Sequence, residues 1–225
     1  MKKALCFLCT VLFSCSLFAQ KINIVTENFP PVVYKAKSGK VVGTATKVVQ
    51  QIFNQTGIKY SVKIMPWNDA YNRALNRKNY AIYATAKTPT REKLFKWVGP
   101  IQTVNFVFFA KKESKIQINS LSDAKQYRIA CYKGDVMETY LKDNGFKNLL
   151  VTKTNMSGLN ALLKGKADLW IANEDEQDYL KSMNKTDNLV KKFDVTTTDL
   201  YLAFNPSVTD DIISKLNQAL TLMKN

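Results

Sequence analysis

The sequence predicts an α/β protein of two lobes, each a central sheet flanked by helices, the lobes joined by two crossing strands. Three observations carry this. Short apolar or β-branched runs alternate with helical-period segments as β-α-β-α-β from Lys21 to Ala86, and the same order recurs from Tyr127 through Ala172. One strongly apolar strand, Val104 to Ala110, follows the first unit, and another, Val195 to Phe204, follows the second. A last helix, opened by Thr209-Asp210-Asp211, is left over, and the economical arrangement returns it to the first lobe. The expected boundaries are residues 20–108 with 197–225 for lobe 1 and 109–196 for lobe 2.

The first unit opens with Lys21-Ile-Asn-Ile-Val-Thr26, an alternating strand that ends in Glu27-Asn28-Phe29-Pro30-Pro31, where two prolines force an extended turn. A hairpin-like piece turns at Ser38-Gly39-Lys40. Thr44 starts a helix whose apolar face is Val48, Val49, Ile52 and Phe53, and Gly57 stops it. Tyr60 to Met65 is the next strand, Pro66-Trp67-Asn68 leads into a helix through Ala70, Ala74 and Leu75, and Tyr80 to Ala86 is the third strand. This order implies parallel strands with right-handed crossovers, and ligands of such sheets sit beyond the strands' carboxyl ends. Phe29, Trp67 and Arg91 all fall there.

In the second unit the strand Tyr127 to Tyr132 runs into Lys133-Gly134-Asp135 and a helix through Met137, Tyr140 and Leu141. Asp135 with Glu138 has the spacing of a capping box, and Gly145 ends the helix. Leu149 to Thr152 is a strand, Ser157 begins a helix closed by Gly165, and Asp168 to Ala172 is a short buried strand running into Asn173-Glu174-Asp175-Glu176 and another helix.

The first nineteen residues read as a secretory signal peptide. Lys2 and Lys3 form a positive start, Ala4 to Phe18 is an apolar run too short for a comfortable membrane span, and Ala19 offers the cleavage point. Leu12-Phe13-Ser14-Cys15 does not fit a lipoprotein signal, because Phe13 stands where a small residue is wanted. The protein is therefore expected in the periplasm. Removal of the leader takes three of the four cysteines, leaving Cys131 as a buried small hydrophobe with no intramolecular disulfide and no Cys-type metal cluster. The sequence contains no histidine, which excludes hydrolysis by a Ser-His or Cys-His pair and removes the commonest metal ligand. No cofactor or metal is expected.

The formal charge of +15 raises nucleic acid as a partner, but the basic residues are scattered singly or in pairs, and export argues against it. The charge reads as a solvated surface on a monomer.

The stretch Thr88-Pro89-Thr90-Arg91-Glu92 stands just past a buried strand, where a guanidinium is well placed to hold a carboxylate in a two-pronged grip. Together with Phe95 and Gly99-Pro100, with Glu27 to Val33 followed by Gly43, with Pro66-Trp67, with Tyr127 to Gly134 and with Leu162 to Asp168, it resembles the periplasmic solute-binding proteins of the polar-amino-acid class that serve ABC importers. The resemblance covers nearly the whole chain after the leader. It implies the periplasmic-binding-protein fold, a small-molecule ligand between the lobes, and an inner-membrane ABC permease as partner. It also implies a site in which Arg91 clamps a carboxylate, Phe29 and Trp67 cover the ligand, and Gly134-Asp135-Val136 meets it at a helix start.

Two departures bear on the ligand. The acidic residue that usually holds the ligand's ammonium falls here on Asn173, and the usual small hydroxyl residues before the arginine fall on Ala84 and Ala86. Either Glu174 or Asp135 supplies the missing charge, or the ligand is not an ordinary α-amino acid. The expected function is capture of a small, carboxylate-bearing ligand without catalysis. The same scaffold also hosts dehydratases of cyclic carboxylates, for which Glu27, Asp135 and Glu174 are the acid-base candidates, and receptors that feed a signalling partner.

Overall fold

The computed structural model describes residues 21–224. The expected leader, residues 1–19 with its cleavage point, lies outside the described residues. The first unit runs β1 (Ile22–Thr26), a small hairpin of β2 (Tyr34–Lys35) and β3 (Val41–Val42), α1 (Thr44–Thr56), β4 (Tyr60–Ile64), α2 (Trp67–Asn76), β5 (Tyr80–Ala86) and a single turn, α3 (Pro89–Glu92). The strand β6 (Lys96–Lys111) leads to the second unit: β7 (Ile129–Tyr132), α4 (Val136–Asp143), β8 (Leu149–Thr152), α5 (Asn155–Leu163), β9 (Leu169–Asn173) and α6 (Glu176–Ser182). The strand β10 (Leu189–Phe204) and the helix α7 (Asp210–Lys224) complete the order.

Eight strands form one hydrogen-bonded sheet in the order β4-β1-β5-β10-β6-β9-β7-β8. Within each unit the pairing is parallel, β1 between β4 and β5, and β7 between β8 and β9. The two crossing strands lie antiparallel at the centre and make the two lobe sheets continuous. They are 16 residues each, longer at their lobe-entering ends than the apolar runs alone predict. Gly99-Pro100 lies within β6 opposite a register shift between Leu200 and Leu202, an irregularity of the kind that accommodates proline in a strand.

Side-chain alternation divides the core between the sheet's faces. Ile22 and Ile24 pack with Val49, Ile52 and Phe53 of α1 and with Leu216 and Leu220 of α7, while Val25 and Ile82 pack with Ala70 and Ala74 of α2 on the other face. In the second unit Phe108 and Cys131 pack under Met137 and Leu141 of α4, and Phe109 and Trp170 pack under Leu159 and Leu162 of α5. The last helix does return to the first unit, beside α1.

Three local details position the site. Thr44 and Ala45, at the start of α1, donate backbone hydrogen bonds to Pro31 and Val32 at 3.1 Å, which ties the Glu27–Val33 turn to that helix. Gly43 makes this approach possible: at φ +134 a Cβ there would stand 2.3 Å from the Val32 carbonyl oxygen. Asp135 caps α4 by accepting from the Met137 amide at 2.8 Å, but Glu138 reaches back one residue further than a capping box requires and accepts from Gly134 N at 2.6 Å. In α5, Thr154 is the cap and Ser157 its third-position partner, so the helix begins before the Ser157 expected from sequence.

Candidate functional site

The carboxyl ends of β1, β4 and β5 face those of β7 and β9, and the residues that follow them line a cleft. Its inner cavity, of about 20 Å³, is walled by Glu27, Phe29, Trp67, Ala84, Ala86, Arg91, Phe106, Asp135, Val136 and Leu200. The structure thus brings together Arg91, Phe29, Trp67, Ala86, Asp135 and Val136. An adjoining cavity of about 20 Å³ adds Asn173, and an outer chamber of about 430 Å³ adds Glu176. Glu27 lines all three.

Arg91 is set by the short turn α3, in which Pro89 occupies the first helical position and the Arg91 amide donates to Thr88 O at 2.9 Å. Its guanidinium lies between two rings, 5.0 Å from the Trp67 centroid and 5.3 Å from that of Tyr71. The one hydrogen bond it makes among the described residues, from Nη1 to Ala86 O, is long at 3.5 Å. No carboxylate stands within ion-pairing distance of it among the described residues. The flat cation is therefore held by stacking, with its donors free for a ligand. Room beside it comes from small side chains: Ala84, at φ +58, is the extra residue of a bulge opposite β10, and it and Ala86 both face the cavity.

The two sides of the cleft touch. Trp67 Nε1 donates to Gly134 O at 2.9 Å, and the Trp67 amide donates to the Tyr132 hydroxyl at 3.2 Å. Trp67 is thus a tie between the lobes as well as the platform for Arg91, a role the sequence did not announce. Gly134 is required at this meeting point, since at φ +77 a Cβ would also stand 2.6 Å from Asn68 Oδ1. Further out, the Tyr34 and Tyr179 rings meet at 5.0 Å.

Asn173 is 1% exposed, and its Nδ2 has no hydrogen-bond partner among the described residues. Its Oδ1 accepts from the Asp175 amide at 3.4 Å, which fixes the amide's orientation. The unpaired group of this lining residue is therefore a donor, suited to an oxygen and not to an ammonium. Leaving such a donor unpaired costs about 1–3 kcal/mol.

Glu174 does not join the cleft. It accepts from Asn105 Nδ2 at 2.8 Å and pairs with Lys191 Nζ at 2.6 Å among the polar groups of the crossing strands, so its charge is already committed. The acid that sequence alone does not single out is Glu176, two residues on. It is 1% exposed, accepts from Asn155 Nδ2 at 2.6 Å, and faces the outer chamber.

The acids are strongly perturbed. Burial first, then the Asp135 and Glu176 carboxylates, push Glu27 well above the usual range, with Arg91 opposing. Burial raises Asp135 as well, against the Met137 amide and Arg91. Burial pushes Glu176 up to about 8 from an ordinary 4.5, the Asn155 hydrogen bond opposing. The folded chain thus holds a proton on Glu176 that the unfolded chain has released, so stability falls as pH rises through that window. Urea unfolding of the empty protein, repeated from about pH 5 to about pH 8, should show this loss, since each tenfold difference in proton affinity between the folded and unfolded chain is worth about 1.4 kcal/mol. Glu27, raised in the same direction, adds to it, and Tyr132 and Tyr179 nearby stay neutral throughout, both raised by burial. Glu176→Gln should flatten the slope; an unchanged slope would remove Glu176 as its source.

The sequence profile of bacterial extracellular solute-binding proteins, family 3, matches residues 22–225. No curated protein sequence matches the chain. Among solved structures, a histidine kinase sensor domain with similarity to periplasmic binding proteins superposes with a TM-score of 0.83 at 18% identity, over 91% of this chain and 90% of that one. The arginine-bound form of truncated ArgBP from T. maritima gives 0.79 at 16% identity, over 91% and 96%. The ancestral amino acid-binding protein AncCDT-1, a precursor of cyclohexadienyl dehydratase, gives 0.78 at 18% identity, over 91% and 90%. At these identities the likeness carries the fold.

Proposed function

This chain belongs to the bacterial extracellular solute-binding proteins of family 3, and from that premise we propose that it captures a small polar ligand bearing a carboxylate and delivers it from the periplasm to an inner-membrane ABC permease. The observation that carries the reading is Arg91, half-buried between Trp67 and Tyr71 with its donors unfilled beside Asp135 and Val136 of the facing lobe. A bidentate carboxylate is the natural complement of that guanidinium. The Asn173 amide then donates to a second oxygen of the ligand.

Lobe 1 is taken as residues 20–108 and 197–225 and lobe 2 as 109–196, moving about β6 and β10. Ligand docks on Arg91 and Phe29, and the lobes close through the Trp67 contacts to Tyr132 and Gly134, giving the permease a surface that differs from the empty form. The protein acts as a monomer after removal of its leader. The sensor domain among the structural neighbours supports a variant of this reading, in which the closed form reports to a signalling partner.

A second reading, turnover of a cyclic carboxylate, is favoured by Glu27 and Glu176, two buried acids facing one cleft. Recovery of the bound compound unchanged, by mass spectrometry, excludes it.

The test is a thermal-shift screen of the mature chain against amino acids, amines and small acids. A ligand present at a hundred times its dissociation constant should stabilise the fold by about 2.7 kcal/mol. The reading requires that the active compounds carry a carboxylate; a screen answered only by compounds without one overturns it.

A further inference from the structure

Beside the Arg91 cavity lies the pocket that holds Asn173, of about 20 Å³, room for one water-sized group. We propose that this pocket is the subsite for a single oxygen on the carbon next to the ligand's carboxylate, so that the ligand is a 2-hydroxy or 2-oxo acid and not a 2-amino acid. The proposal rests on the reading that Arg91 holds the ligand's carboxylate, and it adds the class of ligand.

Asn173 is left with a donor to place. Its backbone is pinned at the end of β9, paired with Phe106 of β6, and the next amide, that of Glu174, donates to Asn105 O at 2.8 Å. Its Oδ1 takes the Asp175 amide, so the group left over on this buried side chain is the Nδ2 donor, without a partner among the described residues. The polar neighbours on the same wall are already engaged. Both ends of the Asn155 amide are in use, Oδ1 accepting from Trp170 Nε1 at 3.1 Å and Nδ2 donating to Glu176 at 2.6 Å. The Tyr132 hydroxyl accepts from the Trp67 amide, and Asp135 accepts from that of Met137. A buried donor in this position calls for an acceptor atom brought by a ligand.

Size and layout supply the rest. The pocket and the Arg91 cavity share Glu27, Phe29, Phe106 and Asp135 as walls, and the two phenylalanine rings stack with centroids 6.3 Å apart. Groups that fill two such small adjoining spaces sit on neighbouring atoms of one molecule, a carboxylate in one and a single heavy atom in the other. The remainder of the ligand passes Tyr132 and Asn155, walls common to the pocket and the outer chamber of about 430 Å³. An α-oxygen and an α-ammonium are nearly the same size, so charge and hydrogen count decide between them. The oxygen accepts from Asn173, whereas an ammonium has only donors and would meet Nδ2 donor to donor. The two acids on this wall do not reverse the choice. Burial makes Glu27 and Asp135 hold their protons more tightly than usual, so an ammonium must ionise one of them in a desolvated space, while an oxygen binds the wall as it stands.

Isothermal titration of the mature chain with isosteric pairs tests this. L-malate is set against L-aspartate, L-2-hydroxyisocaproate against L-leucine, and L-phenyllactate against L-phenylalanine, so that acidic, aliphatic and aromatic side chains are each offered to the outer chamber. In at least one pair the hydroxy acid should bind tighter by about tenfold or more, the range expected when a buried donor is matched in one ligand and opposed in the other. Asn173→Asp keeps the shape and the acceptor for the Asp175 amide but exchanges the donor for a carboxylate oxygen. It should move the ratio toward the amino acid by about tenfold or more, a change that a merely structural residue would not make. Arg91→Ala should weaken both members in parallel and leave the ratio standing. A smaller ratio in every pair, no binding by any of the six, or a ratio that Asn173→Asp leaves unmoved in a variant shown folded by its circular dichroism overturns the oxygen subsite. A ratio that holds while Arg91→Ala changes nothing overturns the carboxylate reading instead.

Discussion

Replacing Trp170 by alanine should lower the unfolding free energy by about 3–5 kcal/mol, the cost of deleting a fully buried aromatic side chain and leaving its cavity. Trp170 is 0% exposed on β9 and packs on Phe109 of the crossing strand, ring centroids 5.8 Å apart, beneath Leu159 and Leu162 of α5. A Cβ on Gly158 would stand 2.9 Å from Trp170 Nε1, so the helix is shaped around the ring. Urea unfolding reads the loss as a lower midpoint at constant slope. Trp170→Phe separates packing from hydrogen bonding. It restores most of the volume but leaves Asn155 Oδ1 without the donor at 3.1 Å, at a cost of about 1–3 kcal/mol. It also frees the Asn155 amide, which donates to Glu176 at 2.6 Å, to turn. A drop below about 1 kcal/mol for the alanine variant would show that the second core does not depend on this ring.

How much of this was legible in the sequence follows from what fixes each residue. The strand-then-helix order placed β1, β4, β5, β7 and β9 and, through them, the rim on which Phe29, Trp67, Arg91, Asp135 and Val136 stand. A residue just past a strand's carboxyl end has few places to go, so the rule is robust. Glu174 and Glu176 show where it fails. Both lie in the polar run Asn173-Glu174-Asp175-Glu176, and composition treats the two acids alike. Their fates are decided by partners remote in sequence. Glu174 is drawn outward by Lys191 of β10 and Asn105 of β6, while Glu176 is turned inward by the docking of α6 and the Asn155 amide of α5. The one available signal was proximity: Glu176 stands three residues after Asn173, where β9 has ended and α6 begins. The lengths of β6 and β10 were hidden for a similar reason. Charged residues such as Lys191, Lys192 and Asp194 read as loop, but a strand at the neck between two lobes needs no apolar alternation.

Arg91→Ala should weaken the ligand found by screening by about thirtyfold to several thousandfold, since truncating one partner of a buried charge pair costs about 2–5 kcal/mol. The informative part of this experiment is the empty protein. Burial lowers the Arg91 pKa, which means the fold opposes its charge there, with only Tyr71, Asp135 and Glu27 helping. Removing the guanidinium relieves that desolvation and forfeits the stacking on Trp67 and Tyr71, two effects of opposite sign. The empty variant should therefore melt close to the wild type while its ligand-induced shift disappears. A structural arginine would behave in the reverse way, losing stability with or without ligand. Arg91→Lys divides the remaining question. Lysine keeps the charge but offers a point donor in place of a planar fork and stacks poorly, so it should recover only part of the affinity. Full recovery by lysine would mean that charge alone holds the carboxylate, and the sandwich of Trp67 and Tyr71 would then have no part in orienting it.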